Sequence, residues 1–145
     1  MNMRSFLRHI TNYAMVNHFH IALLVLRILV CIQLIVVHGY KKIGIGADIA
    51  EVVPNPFGFP QNLNQIFAIG ANIGFPILVF FGFLTRLATL PILAVTLTGY
   101  LVVHAHDSLQ ERDIPFMYSI VFAYLLFVGA GKYSVDALIH KKLSL

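Results

Sequence analysis

The chain has 145 residues, of which 59% are hydrophobic and only 11% charged. A soluble domain carries about 25% charged residues, so this composition excludes an ordinary water-soluble globule and indicates an integral membrane protein. The net charge of +4 comes from basic residues beside apolar segments, the pattern of membrane topology and not of nucleic-acid binding.

Residues 1–19 place Met3, Phe6, Leu7 and Ile10 at helical spacing, with Arg4, Arg8 and His9 elsewhere around the turn. This tail is either a short amphipathic helix on the inner leaflet or a frayed end. A first apolar span runs from about His20 to Tyr40. No small-x-small cleavage site follows it, so it reads as a retained span and not a signal peptide. Its sole cysteine, Cys31, excludes an intramolecular disulfide, a paired-cysteine redox motif and iron–sulfur ligation by this chain alone. Residues 41–62, "KKIGIGADIAEVVPNPFGFPQN", are rich in Gly and Pro and carry enough Phe and Val to pack back on the bundle or dip into the interface. A second span is expected from about Leu63 to Leu84, a third from about Leu87 to His104, and a fourth from Ile114 to Gly131. Inside a bilayer each must be helical, because no water satisfies open backbone groups. Pro76 and Pro91 are expected to kink the second and third spans.

Counting Lys and Arg beside the spans sets the orientation. Arg4, Arg8, Arg86, Lys132, Lys141 and Lys142 fall on one side, and Lys41, Lys42 and Arg112 on the other. The richer side is the cytoplasm. The expected architecture is therefore all-α: an integral membrane four-helix bundle with both termini cytoplasmic. An N-terminal tail (1–19), a four-span membrane domain (20–131) and a basic C-terminal tail (132–145) divide the chain.

The polar residues inside this apolar frame are the candidate site. At about 3.6 residues per turn, Arg27, Cys31, Leu34 and His38 share one stripe of the first span, which Lys41 continues. A lipid-facing arginine costs several kcal/mol, so the stripe faces the bundle. There Arg27 either binds a carbonyl or anionic group of a ligand or bonds to carbonyls and polar side chains of the other helices. His38, His104 and His106 end up at one membrane face, and Tyr100 and His104 share a helical face at i, i+4. These histidines could ligate zinc or copper, hold a haem, exchange protons beside a quinone, or simply bond to headgroups and loop carbonyls. No complete ligand set for a metal is legible. Arg27, His38, Tyr100 and His104 form the candidate quinone and proton site, with Lys41, Asn72 and His106 as secondary candidates. Gln65 and Asn72, seven apart, read as interhelical hydrogen-bonding groups.

Four motifs together resemble the DoxX family of small four-helix bacterial membrane proteins, over nearly all of residues 20–140. They are "LRILVCIQLIVVHGYKK" at 26–42, "GFP" at 58–60, "GFLTRLA" at 82–88 and "GAGKYSVDAL" at 129–138. In the second, the family's pattern is Gly-x-Pro; in the third, Gly-x-x-Thr-Arg. Read physically, Arg86 anchors topology, Thr85 can cap the third helix, and Ser134 can cap a short surface helix reaching Lys142. The family takes its name from a subunit of a thiosulfate:quinone oxidoreductase, and some members are described as partners of thiol-redox and oxidative-stress proteins. The resemblance thus implies a multi-pass protein of the bacterial inner membrane, associated with redox metabolism. With no flavin, haem or iron–sulfur motif in the sequence, no covalent cofactor is expected; a quinone is the candidate non-covalent ligand, and electrons would come from a redox enzyme partner. Small residues of the second span (Ala68, Gly70, Ala71, Gly74) would allow a homo-oligomer. One departure stands out: relatives often carry a glutamate where this chain has Asn72. Whether the chain is an enzyme is left open. The competing functions are a non-catalytic membrane scaffold or assembly partner and, behind that, a small-solute permease.

Overall fold

The computed structural model describes the backbone of residues 3–46 and 48–144, and side chains from residue 15 onward with the same gap. Among the described residues there is no strand; the chain is helices and their connections. Helix α1 (Met3–Gln33) continues through a π-helical stretch, Leu34–Gly39, and a last turn, Tyr40–Lys42. Helix α2 (Gln61–Ile69) likewise passes through a π-helical stretch, Gly70–Gly74, into Phe75–Phe81. Helix α3 (Thr85–Thr98) ends in a third such stretch, Gly99–Val103. Helix α4 spans Leu109–Val128 and helix α5 spans Val135–Leu143.

Three of these segments are long and apolar enough to cross a membrane: Met15–Lys42, Gln61–Phe81 and Thr85–Val103. The backbone of α1 shows no break between the expected tail and the first span. The apolar face drawn through Met3, Phe6, Leu7 and Ile10 lies outside the described side chains.

Local chemistry explains several of the helix ends. Ser108 starts α4 with a capping box: its hydroxyl accepts from the amide of Glu111, whose carboxylate accepts from the amide of Ser108. Gly82 ends α2 in the left-handed region (φ 69°), where a side chain would be strained. Pro76 shows why α2 widens where it does. It has no amide hydrogen, and in an α-helix its ring would press on the carbonyl of Asn72. The π-helical turn just before it absorbs that conflict, so the expected kink is a local widening. Pro91, by contrast, lies within an uninterrupted α3.

The helices pack as two pairs, α1 with α2 and α3 with α4. Between the pairs, α2 and α3 touch over Gly70–Phe81 and separate over Gln61–Ile69. The molecule therefore has a closed end, carrying the turns at 82–84 and 129–134, and a splayed end, carrying the 43–60 loop. The core between them is Leu23, Cys31, Leu34, Val79, Ile92, Phe122 and Leu125. Burial of Leu23, Arg27, Cys31 and Leu34 confirms that the polar stripe of the first span faces inward.

Candidate functional site

At the closed end the sequence motifs knot together. Arg27 is 1% exposed. Its guanidinium donates one nitrogen to the carbonyl of Ala130 and the other to the carbonyl of Tyr133 at 2.8 Å. These carbonyls follow Gly129, the positive-φ residue that ends α4, so the arginine satisfies main-chain acceptors of the 129–134 turn that no helix ladder pairs. The carboxylate of Asp136 accepts from the amides of Leu84 (2.7 Å) and Thr85 (3.0 Å), capping α3 from a distant segment. The amide of Asp136 in turn donates to the carbonyl of Gly82 at 2.8 Å. Arg86 reaches the carbonyl of Phe127 at 3.2 Å. Gly82 is needed here for space as well as conformation, because a Cβ on it would lie 2.7 Å from an Arg27 nitrogen.

Two expectations about this end change. Thr85 is not the cap of α3: its buried hydroxyl has no hydrogen-bond partner among the described residues, and Asp136 supplies the cap instead. Arg27 is not on a cavity wall with His38. Eleven residues of helix separate them, about 16 Å along the axis, and its two terminal nitrogens donate to main-chain carbonyls. Ser134 does cap the terminal helix, accepting from the amide of Ala137 at 3.1 Å.

The splayed end encloses a cavity of about 780 Å³, within the range of roughly 300–1,000 Å³ typical of small-molecule sites. One wall is α1 and α2, through Leu34, His38, Lys42, Ala68 and Asn72; the other is α3 and α4, through Thr96, Gly99, His104, Pro115 and Tyr118. The roof is the 43–60 loop, through Glu51, Val53, Pro54, Phe57 and Phe59. That loop packs back on the bundle because α2 holds it. Gln65 donates to the carbonyls of Lys42 (3.3 Å) and Glu51 (3.0 Å) and accepts from the amide of Val53 (3.2 Å). Asn64 adds bonds to the carbonyls of Val53 and Pro54. Lys42 pairs with Glu51 at 3.3 Å.

Few polar groups reach the interior of this cavity. His38 packs edge-on against the ring of Tyr118, centroids 5.4 Å apart. Asn72 donates its amide to the carbonyl of Ala68 at 2.8 Å, which leaves its side-chain carbonyl to offer. Thr96 is tied to Ser119 at 3.0 Å. His104 meets Asp107 at 2.7 Å on the exposed rim. Among the described residues no group of three histidine, cysteine or carboxylate side chains gathers as a metal site.

The cavity thus brings His38, His104 and Asn72 together, and leaves out Arg27, Tyr100, Lys41 and His106. Tyr100 instead stacks under Arg112, whose guanidinium carbon lies 4.4 Å from the ring centroid, and against Phe116. Two of these differences share a cause. Each π-helical stretch inserts one residue into a turn, and so slips the register by about 100°. Past Leu34–Gly39 the slip puts Lys42 at the cavity where α-helical spacing puts Lys41. Across Gly99–Val103 it pairs His104 with Gly99, whose carbonyl accepts from the His104 amide at 2.9 Å, instead of with Tyr100. All three π-helical stretches supply lining residues, and none was legible in the sequence. The roof residues Glu51, Phe57 and Phe59 were also missed, although the Gly-Pro composition marked the loop.

The pairing of α1 with α2 rests on a contact that ties these stretches together. Gly39 lies against Asn72, and a Cβ on it would sit 2.8 Å from the Asn72 main-chain oxygen and 2.7 Å from Ile73. That oxygen is the one Pro76 cannot engage.

These contacts place every motif quoted above: Arg27, Gly82 to Arg86 and Gly129 to Asp136 at the closed end, His38, Gly39 and the Gly58–Pro60 turn at the splayed one. Comparison with known proteins agrees. The DoxX family model matches residues 22–105. A Haemophilus influenzae protein described only as uncharacterized is 33% identical over 100 residues, an overlap of 66% of this chain and 66% of that one. No solved structure matches the chain. With its family match covering the three membrane-length helices and most of the residues that line the cavity, the chain belongs to the DoxX family.

Proposed function

We propose that this chain is the membrane-embedded, ligand-binding subunit of a redox assembly, and that the splayed-end cavity takes the headgroup of a quinone or quinol. The observation that carries this reading is a large, mostly apolar cavity with an imidazole on each wall, His38 and His104. A quinone ring is flat and apolar with carbonyl oxygens at its edges, and each oxygen gains or loses a proton as electrons are exchanged. Imidazole titrates near neutral pH and suits that exchange. His104 pairs with Asp107 at the rim, and Tyr118 and Phe57 add aromatic rings to the lining. The chain carries no motif for an electron-carrying cofactor, so the electrons belong to a partner protein. Arg27 has no part in this site.

In this reading α4 is the fourth span. It has 20 residues, about 30 Å of helix, and it packs along α3. Both termini then lie in the cytoplasm of a bacterial cell, with the cavity in the outer half of the inner membrane. Glu111, Arg112 and Asp113 fall in the first turns of α4, at headgroup level.

The test is titration of a short-tailed quinone against purified protein in mild detergent. Saturable micromolar binding, weakened tenfold or so by His38→Ala or His104→Ala with helicity unchanged, is the expected outcome. A folded wild type that binds no quinone favours the scaffold reading. That alternative draws on the closed end, where Arg27, Asp136 and Arg86 bond to the backbone.

A further inference from the structure

We propose that the cavity is entered sideways from the bilayer, through a portal between α2 and α3, and that the portal holds the hydrocarbon tail of a membrane-dissolved ligand. For the chemistry of the ligand's head this rests on the reading above; the portal itself stands on separate observations.

The first is where the helices part. The α2 and α3 segments that touch lower down separate over Gln61–Ile69, and the cavity wall there is Leu63, Ile66 and Phe67 on one side and Ala94, Val95 and Thr98 on the other. Leu63, Ile66, Phe67 and Ala94 are exposed. They are both cavity lining and outer surface, as are the roof residues Phe57 and Phe59. What sets this side apart as a mouth is that no described segment crosses the gap between the helices, whereas the roof is pinned down by side-chain bonds.

The second is depth. The mouth residues belong to the segments Gln61–Phe81 and Thr85–Val103, which are apolar enough to cross a membrane. Counted from the splayed ends of those segments, they lie roughly 3–14 Å down the helices. The medium in front of the mouth is hydrocarbon.

The third is what closes the other routes. Toward water the cavity is roofed by the 43–60 loop, pinned by Gln65, Asn64 and the Lys42–Glu51 pair. Between α1 and α4 the back is shut by His38 against Tyr118. A ligand with a polar head and a long apolar chain fits this shape: head beneath the roof near His38 and His104, chain running out between Phe67 and Ala94. A small water-soluble solute has no comparable path, so the portal also argues against a permease.

The chain contains no tryptophan, so a single introduced one is a clean reporter. Tyr118→Trp places it on the back wall; Leu29→Trp, on the exposed outer face of α1, marks full contact with lipid. In liposomes without added ligand, acyl-chain-brominated lipid is expected to quench the Tyr118→Trp variant nearly as strongly as the Leu29→Trp variant. Acrylamide in the water is expected to leave the Tyr118→Trp fluorescence bright. Adding Ala94→Phe at the mouth, a surface position, is expected to remove most of the lipid quenching. A second measurement covers failure of the tryptophan variant to fold. Cys31 is fully buried, so Thr98→Cys provides the accessible thiol; it should react with a bilayer-soluble maleimide and resist a charged, impermeant thiol reagent.

Quenching by acrylamide, or labelling by the charged reagent, would show a cavity open to water and overturn the portal. So would Tyr118→Trp fluorescence that neither quencher reaches. A portal that passes these tests in a protein that binds no quinone would stand, while the quinone reading fell. Quinone binding with no lipid access would give the reverse.

Discussion

Replacing Arg27 by Met separates the two roles an intramembrane arginine could have. Met keeps most of the buried stem and removes the guanidinium. Two main-chain carbonyls, those of Ala130 and Tyr133, then lose charged donors, at about 1.5–3 kcal/mol each. Part of this is recovered, because a buried charge with no carboxylate at hydrogen-bonding distance disappears, as does its unpartnered Nε. The net loss is about 2–3 kcal/mol, a large share of a stability of roughly 5–15 kcal/mol. Thermal unfolding followed by helical circular dichroism in detergent reads this directly. Arg27→Lys should lie near the Met variant, since one ammonium cannot span both carbonyls as the planar fork does. Below its lowered midpoint, Arg27→Met should bind ligand like wild type. A variant that melts like wild type but loses ligand would refute the assignment and return Arg27 to the site.

Asp136→Ala removes the distant cap from the amides of Leu84 and Thr85 and should cost about 1–2 kcal/mol in the same melts. Leu84 holds φ at 47°, a left-handed conformation costing about 1–2 kcal/mol for a side-chain-bearing residue; Leu84→Gly should recover part of the Asp136→Ala loss. Gly39→Ala forces a methyl against Ile73 and the Asn72 oxygen, with an expected destabilisation of about 1–3 kcal/mol. Gln65→Ala should leave the melting midpoint nearly unchanged but raise hydrogen exchange across residues 43–60, because its two bonds to that loop and its bond to Lys42 at the loop's start are lost.

What the sequence made legible follows from what periodicity and composition can report. The buried stripe of the first span, the packed-back loop and the Ser134 cap all depend on spacing or on short-range chemistry, and all appear in the structure. The Asp136 cap joins residues 51 and 52 positions apart, and no local pattern signals it. Arg27 is recognisable as inward-facing, but its partners are main-chain carbonyls, which every residue has and no sequence advertises. Counting crossings places His38 and His104 on one membrane face, and the cavity lies between them. The residues beside them, Lys41 and Tyr100, follow from strict 3.6-residue spacing, and there the register slips by one position.

That slip is testable as a property of the fold. A π-helical turn is an α-helix with one residue too many, so removing a residue inside the turn should restore the ordinary ladder. In Gly99–Val103 the residue to delete is Leu101, which is exposed and fills no core. His104 would then stand four positions from Gly99 and still donate to its carbonyl, the bond it already makes, so the connection to α4 stays in register. The deletion should therefore give a monodisperse, helical protein whose midpoint is close to that of wild type. Deleting Leu90, also exposed but within the α-helical part of α3, turns everything beyond it by about 100° and should not yield folded protein. The cavity answers differently from the fold. Narrowing the turn rebuilds the wall at Gly99 and Val103, so the Leu101 deletion should lose ligand affinity while keeping its stability. If it unfolds as the Leu90 deletion does, the wide turn is structural, and the register slip is not what shapes the cavity.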